Sequence, residues 1–126
     1  MSRRDTGFDP ATTAAIVERD RGRCARCGTY VLDGPRGVTW SIHHRAPRKM
    51  GGRKIDWIGG AANGVTLCGS SVTPGSCHLW VESNRSEARD TGWLIPMGVQ
   101  RPDTTAIQHA IHGFVLLNND GGWEAA

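Results

Sequence analysis

The four cysteines of this chain have the spacing of a metal site. Cys24 and Cys27 are separated by two residues, which lets two thiolates of one turn face a single tetrahedral ion. Cys68 and Cys77 can complete the tetrahedron, because the Gly-, Ser- and Pro-containing segment between them can fold back and bring its ends together. Buried free thiols and a redox pair are the two alternatives. We predict a structural zinc ion held by all four sulfurs.

Three histidines and an asparagine are interleaved with these cysteines. His43 and His44 adjoin at the end of a predicted strand, Asn63 follows, and His78 comes directly after a predicted zinc ligand. Adjacent strand residues point to opposite faces, but a turn at the end of a strand can bring both to one site. Two neighbouring histidines alone are often incidental. Their order relative to the cysteines indicates a common site.

Positive charge is concentrated in the half of the chain that carries the double histidine. Residues 1–54 hold twelve Lys and Arg against five Asp and Glu, whereas residues 55–126 hold three against seven. A polyanion such as DNA or RNA would be drawn to the basic half, and binding should weaken with salt because counterions are released. Ordinary surface charge is the alternative explanation.

The elements that position these residues belong to one domain with a thin core. The chain has 126 residues, of which 38% are hydrophobic and 17 are glycine. Apolar burial is therefore limited, and a metal that contributes folding free energy would compensate. No apolar run is long enough for a signal peptide or a membrane helix. We expect a reducing, cytoplasmic setting without membrane contact.

Asp, Pro and Gly divide the chain into short elements of an α+β fold. We expect a loose basic arm over residues 1–8 and then a helix that is capped by Asp9 and runs out near Arg21-Gly22. The further predicted elements are strands at 29–32 and 38–44, a basic loop at 45–60, a short turn or helix at 61–67, an irregular loop at 69–76, a helix from about Cys77 to Arg89, and short strands at 93–96 and 114–117.

Three stretches of the sequence resemble a nuclease motif. WSIHHRAPRKMGG, ANGVTLC and CHLWVE are similar to the HNH, or ββα-metal (His-Me finger), motif over about residues 24–84. That motif interleaves two cysteine pairs with His-His, Asn and Cys-His in a fixed order. GSSVTPGS, VESNR and the tail GW...NNDGGW also resemble the small HNH proteins of bacteriophages that infect actinobacteria. The resemblance implies a ββα-metal core with a four-cysteine zinc knuckle, an N-terminal helix and a C-terminal extension of short strands over residues 92–126.

The resemblance also implies a role for each matching residue. His44 would be the general base that activates a water for attack on a phosphodiester, and an imidazole suits that role at neutral pH. His43 and His78 would hold a catalytic divalent ion such as Mg²⁺, Mn²⁺, Ni²⁺ or Zn²⁺. Asn63 would hold the loop that orients the base.

One position departs from that family pattern. Many family members carry a further histidine one helical turn after the third, where this chain has Glu82. On a helix Glu82 faces the same way as His78 and could supply a carboxylate oxygen to the catalytic metal. Equally, it could be a solvated acid or a salt-bridge partner for Arg85.

Basic and aromatic residues around the motif complete the predicted site. His109 and His112 lie outside the motif and are predicted to serve packing or the surface. Of the five tryptophans, Trp57 is the best candidate for contact with a base because it lies in the predicted loop. The predicted phosphate contacts follow His44 along the chain: Arg45, Arg48, Lys49, Arg53 and Lys54.

These features predict a DNA endonuclease that hydrolyses phosphodiester bonds and leaves a 5′ phosphate and a 3′ hydroxyl. The main alternative is a zinc-stabilised nucleic-acid-binding module without cleavage activity. A third hypothesis is a structural zinc protein that acts in protein assembly. The phage resemblance further implies a link to genome packaging in the host cytoplasm, with a terminase large subunit as a partner besides DNA.

Overall fold

Three short α-helices and two small antiparallel sheets make up the part of the chain that the computed structural model describes, residues 7–46, 56–96 and 100–126. This is the predicted α+β class. The helices and strands are α1 (Pro10–Arg19), β1 (Trp40–His44), β2 (Gly64–Cys68), α2 (Cys77–Ser83), α3 (Arg85–Asp90), β3 (Ile107–His109), β4 (Gly113–Leu117) and β5 (Trp123–Ala125), with 3₁₀ helices at Asp56–Gly59, Ala61–Asn63 and Pro102–Thr104.

The N-terminal helix has the predicted cap. The side chain of Asp9 accepts a hydrogen bond from the Thr12 N–H at 2.7 Å, and Pro10 occupies the first helical position, where its missing N–H costs nothing. The helix ends at Arg19, and the chain turns away through Arg21 and Gly22, whose φ angles are +59° and +65°. This turn leads directly into the first cysteine pair.

The strands β1 and β2 form the antiparallel pair that carries the predicted site. In their register His43 lies opposite Val65, and His44 lies opposite Gly64. Val65 is fully buried, as are the other strand residues of β2 that face the hydrophobic core. One face of the strand pair is therefore buried in the core, and this burial fixes the register of the two strands.

The loop after β2 folds back on itself, as its composition predicts. The Ser76 hydroxyl donates to the Ser70 carbonyl at 3.0 Å and accepts from the Leu79 N–H at 3.1 Å. Ser76 is thus the N-cap of α2 and also closes the loop. The end of β2 and the start of α2 are brought together in this way.

The three-stranded sheet β3–β4–β5 packs its inner face against the same core as α2 and β2. Ile107, Val115 and Leu117 are almost fully buried there with Leu67 and Val81. The C-terminal extension is therefore part of one core with the segment that carries the cysteines and histidines.

Two predicted helical segments differ from the structure. The helix predicted from Cys77 to Arg89 is interrupted at Asn84, which has φ −124° and ψ 60°. The Asn84 side chain donates from Nδ2 to the Trp80 carbonyl at 2.9 Å, and the Asn84 backbone N–H donates to the same carbonyl at 2.8 Å. The predicted turn or helix at 61–67 is a 3₁₀ helix only at Ala61–Asn63, and the rest is strand β2.

Two predicted strands are wrong. At 29–32 the only pairing is a single bridge between Arg23 and Tyr30. At 93–96 no strand forms, because Trp93 and Leu94 close the turn after α3 through N–H bonds to the Ala88 carbonyl at 3.0 and 3.2 Å. Among the described residues, no helix combines the length and the apolarity needed to cross a membrane.

Candidate functional site

The four cysteines converge from the segment after α1, the end of β2 and the start of α2. Their sulfur atoms all lie within 4.8 Å of one another, and the four cysteines form no disulfide. The Cys27 N–H points at Cys24 Sγ at 3.5 Å, and the Cys77 N–H points at Cys68 Sγ at 3.3 Å. Four thiolates in this arrangement could hold a metal ion, and the set is the one that structural zinc sites use.

Within this cysteine cluster the electrostatics favour the thiolate at Cys24 and the thiol at Cys68, where burial raises the pKa, and at Cys77. A hydrogen bond from the Cys77 thiol lowers the pKa of Cys24 to about 5, and the same bond raises the pKa of Cys77. The guanidinium of Arg26 lies over the Trp80 ring at 3.8 Å and donates from Nη1 to Cys77 Sγ at 3.4 Å. A cation at the centre of the cluster would stabilise all four sulfurs as thiolates.

A second group of possible metal ligands includes His78, the residue that follows Cys77 in α2. Ligand atoms of His43, His78 and Glu82 all lie within 4.8 Å of one another. Glu82 Oε2 is 3.6 Å from His43 Nδ1 and 3.8 Å from His78 Nε2, and the two imidazole rings meet edge to face with centroids 5.1 Å apart. One strand residue and two residues a helical turn apart thus converge, which we call the His–Glu cluster.

The imidazole of His43 is held in the protonation state that a metal ligand needs. Its Nε2 donates to the Trp93 carbonyl at 2.7 Å, because a carbonyl oxygen can only accept. Burial, followed by the charge of His78, lowers the pKa of His43 to about 3. The ring is therefore neutral at pH 7, and the lone pair of Nδ1 faces Glu82.

The Glu82 carboxylate uses its two oxygens for different partners. Oε2 faces both histidines, whereas Oε1 accepts from Arg85 Nη1 at 3.2 Å. The two roles considered for Glu82 from the sequence, ligand and salt-bridge partner, are therefore compatible. Burial lowers the pKa of His78, and the nearby Glu82 charge raises it in part.

His44 stands apart from the His–Glu cluster, although it is adjacent to His43 in β1. Its ring stacks on Phe8, with centroids 4.3 Å apart and planes 14° from parallel. A Cβ added to Gly7 would lie 3.0 Å from His44 Cε1, so the N-terminal segment packs directly against this imidazole. The strand alternation places the two histidines on opposite sides, and their proximity is still close enough for the His44 charge to lower the pKa of His43.

Asn63 secures the chain at Ala46, two residues beyond His44. Its side chain is fully buried. Oδ1 accepts from the Ala46 N–H at 2.8 Å, while Nδ2 donates to the carbonyls of Ala46 at 3.2 Å and Ile58 at 2.9 Å. The backbone adds a bond from the Arg45 N–H to the Asn63 carbonyl at 2.8 Å.

The prediction that Arg45 contacts DNA is wrong. Arg45 lies two residues after His43 and shares its inward face, so its guanidinium is fully buried. Burial, together with the charge of Arg19, lowers the pKa of Arg45 to about 9, and the group stays protonated at neutral pH. It donates to the carbonyls of Ala62, Gly92, Pro102 and Thr105 at distances of 2.7 to 3.0 Å. The other four predicted phosphate contacts, Arg48, Lys49, Arg53 and Lys54, lie outside the described residues.

His109 and His112 serve packing, as predicted. His109 is buried and its Nε2 donates to Asp20 Oδ1 at 2.7 Å, while His112 contacts the Arg19 carbonyl at 2.8 Å and stacks on Trp123. Burial raises the pKa of Asp20, but the bonds and charges of His109 and Arg19 outweigh it and lower that pKa to about 2. The side chain of Trp57 lies outside the part of the chain that can be described.

Comparison of this chain with protein-family models, with curated proteins and with solved structures found no match.

Proposed function

We propose that this protein is a metal-dependent DNA endonuclease with an HNH, or ββα-metal, core formed by β1, β2 and α2. The observation that carries the proposal is the convergence of His43, His78 and Glu82 beside a four-cysteine cluster, with His44 next in the same strand. The order of elements, two antiparallel strands followed by a helix, supports the same assignment.

The donor set fits a divalent transition metal. Two neutral imidazoles and one carboxylate suit Mn²⁺, Ni²⁺ or Zn²⁺ better than Mg²⁺, which prefers oxygen ligands and retains water. Three ligands leave coordination positions for a phosphate oxygen and water. When bound, such an ion would stabilise the negative charge that develops on the phosphate and on the leaving oxygen.

The protein's own groups would carry the proton transfer. His44 would take a proton from the attacking water as the water oxygen forms a bond to phosphorus. The bond from phosphorus to the 3′ oxygen breaks, and that oxygen takes up a proton from solvent water. The products are a 5′ phosphate and a 3′ hydroxyl. The Phe8 stack would restrain the His44 ring, and the Asn63 bonds would hold the segment that follows β1, so that the ring is oriented before substrate arrives.

Supercoiled plasmid nicking in Mg²⁺, Mn²⁺, Ni²⁺ or Zn²⁺ tests the proposal. We expect nicking by the wild type, strongest in a transition metal, and a loss of roughly 10²–10⁴-fold in rate for His44→Ala, the usual contribution of a general base. His112→Gln is the matched control, because it changes a histidine outside both clusters, and it should cut like the wild type.

Other results would redirect the assignment. Salt-sensitive DNA binding without cleavage in all four metals would favour the zinc-stabilised binding module. Absence of DNA binding would favour a structural zinc protein. Cleavage that His44→Ala leaves intact would remove His44 from the mechanism.

The link to genome packaging rests on the resemblance to phage HNH proteins alone. Co-purification of the chain with a terminase large subunit, or faster plasmid cutting when one is added, is the expected result. If neither occurs, DNA remains the one partner that the site itself supports.

A further inference from the structure

The hydroxyl of Ser41 bridges a backbone carbonyl and one imidazole of the His–Glu cluster. Ser41 Oγ lies 2.7 Å from the Gly69 carbonyl oxygen and 2.6 Å from His78 Nδ1. Ser41 is two residues before His43 in β1, so both side chains point to the same face of the strand. Ser41 of β1 therefore contacts His78 of α2 on the face of the strand that also carries His43.

Proton accounting allows one arrangement of this bridge. The hydroxyl has a single hydrogen, and the Gly69 carbonyl can only accept. The hydrogen of Ser41 therefore goes to Gly69, and Ser41 Oγ must accept a hydrogen from His78 Nδ1. The opposite arrangement would leave the oxygens of Ser41 and Gly69 at 2.7 Å with no hydrogen between them.

The acceptor at the far end of the bridge is held rigidly. Gly69 has φ +73°, a conformation that favours glycine, and Ser76 and Thr73 pack against its Cα, so a side chain there would collide with them. Its N–H donates to the Thr39 carbonyl at 2.7 Å. The direction of the Gly69 carbonyl is therefore set by the loop that also brings the cysteines together.

We propose that Ser41 is a positioning residue for the metal centre, because its bridge to Gly69 fixes His78 as the Nδ1–H tautomer and leaves the Nε2 lone pair facing Glu82. This inference rests on the His–Glu metal centre of the proposed function. Nε2 is the atom of His78 that lies 3.8 Å from Glu82 Oε2. His43 is held in the opposite tautomer by the Trp93 carbonyl. Two different outer partners thus present two different ring nitrogens to one ion.

The test uses zinc-loaded protein without DNA, titrated with Mn²⁺ by calorimetry, since Mn²⁺ competes poorly for thiolates. We expect Ser41→Ala to weaken Mn²⁺ binding by roughly 10–100-fold, the usual cost of losing such a partner. Ser41→Thr keeps the hydroxyl and should restore binding to within about threefold of wild type. Thr66→Val is the matched control, because its buried hydroxyl in β2 has no hydrogen-bond partner among the described residues.

A second readout follows the tautomer directly. In ¹⁵N-detected NMR of the same zinc-loaded protein before Mn²⁺ is added, His78 should be the Nδ1–H form in the wild type and in Ser41→Thr. Ser41→Ala should shift it towards the Nε2–H form. A merely structural role for Ser41 would change melting but not this signal.

The outcomes separate this inference from the proposed nuclease. Wild-type Mn²⁺ affinity and an unchanged His78 tautomer in Ser41→Ala would overturn the role of Ser41, even if plasmid cleavage persists. Absence of Mn²⁺ binding by the wild type would overturn it as well. Ser41-dependent Mn²⁺ binding in a protein that never cuts DNA would support the inference and remove the nuclease.

Discussion

The cysteine cluster and the His–Glu cluster include consecutive residues of α2, Cys77 and His78, yet their sets of possible ligands differ. Cys77 closes a set of four sulfurs that would saturate a tetrahedral ion. His78 belongs to a set of two nitrogens and a carboxylate, which leaves positions open. A closed shell suits folding, whereas an open one suits binding of a further ligand.

The two clusters also differ in what holds them. The cysteines are positioned by turns and by the start of α2, with Arg26 as a cationic partner. The histidines are each fixed through their outer nitrogen, by the Trp93 carbonyl and by Ser41. Because α2 begins in the first cluster, the closed site would place the helix that carries the open one.

Single substitutions of the neighbouring residues Cys77 and His78 should show the largest difference between the two clusters. Cys77→Ser should release zinc and abolish folding, because zinc binding and folding are one process in such sites. His78→Ala should keep zinc and a cooperative thermal transition but lose Mn²⁺ binding. Zinc content and circular dichroism melting measure both. If Cys77→Ser kept its zinc and its melting temperature, the structural zinc site would be excluded.

A buried charge network supports the scaffold independently of either cluster. Asp20 accepts bonds from Arg19, His109 and the Thr66 N–H of β2, and its side chain is fully buried. Asp20→Asn should lower the free energy of unfolding by roughly 3 kcal/mol, because it leaves buried partners uncompensated. Urea denaturation of zinc-saturated protein measures this, and zinc content should stay at the wild-type level.

The lowered pKa of Asp20 determines how the difference in unfolding free energy between wild type and Asp20→Asn depends on pH. A folded pKa of about 2 against an ordinary value of 3.8 means that the stabilisation is complete above about pH 4 and is lost as the pH falls towards 2. The gap between wild type and Asp20→Asn should therefore stay constant from pH 7 to 5. A gap that shrinks within this range would contradict an Asp20 carboxylate that is ionised throughout.

The smallest expected effects are on Mn²⁺ affinity, and they test whether the Glu82 carboxylate of the His–Glu cluster is a metal ligand. Glu82→Gln preserves the shape of the side chain and removes its charge, so Mn²⁺ affinity should fall by at least about tenfold. Arg85→Gln removes the bond to Glu82 Oε1, an exposed ion pair worth about 1 kcal/mol or less, and should weaken binding only a few-fold. Equal affinities for Glu82→Gln and the wild type would show that Glu82 is no ligand.

Much of the candidate site was predictable because its ligands are read from residue type and order. The cysteine spacing predicted the four-sulfur group. The four-residue spacing of His78 and Glu82 on a predicted helix predicted that their side chains share a face. Ser41 could have been found by the same logic, since it stands two residues before His43 on a predicted strand. The Phe8 stack on His44 could not, because it joins segments that only the fold brings together.

Residue chemistry and local spacing determined which side chains could bind metal, where the first helix is capped, and that the fold mixes helices with short strands. Tertiary structure decided that Arg45 faces the core and not a phosphate, and that a strand replaces the expected turn or helix at β2. The physical reason is that burial and backbone hydrogen bonds depend on distant segments. Four carbonyls from three parts of the chain surround the Arg45 guanidinium, and no local pattern encodes their meeting.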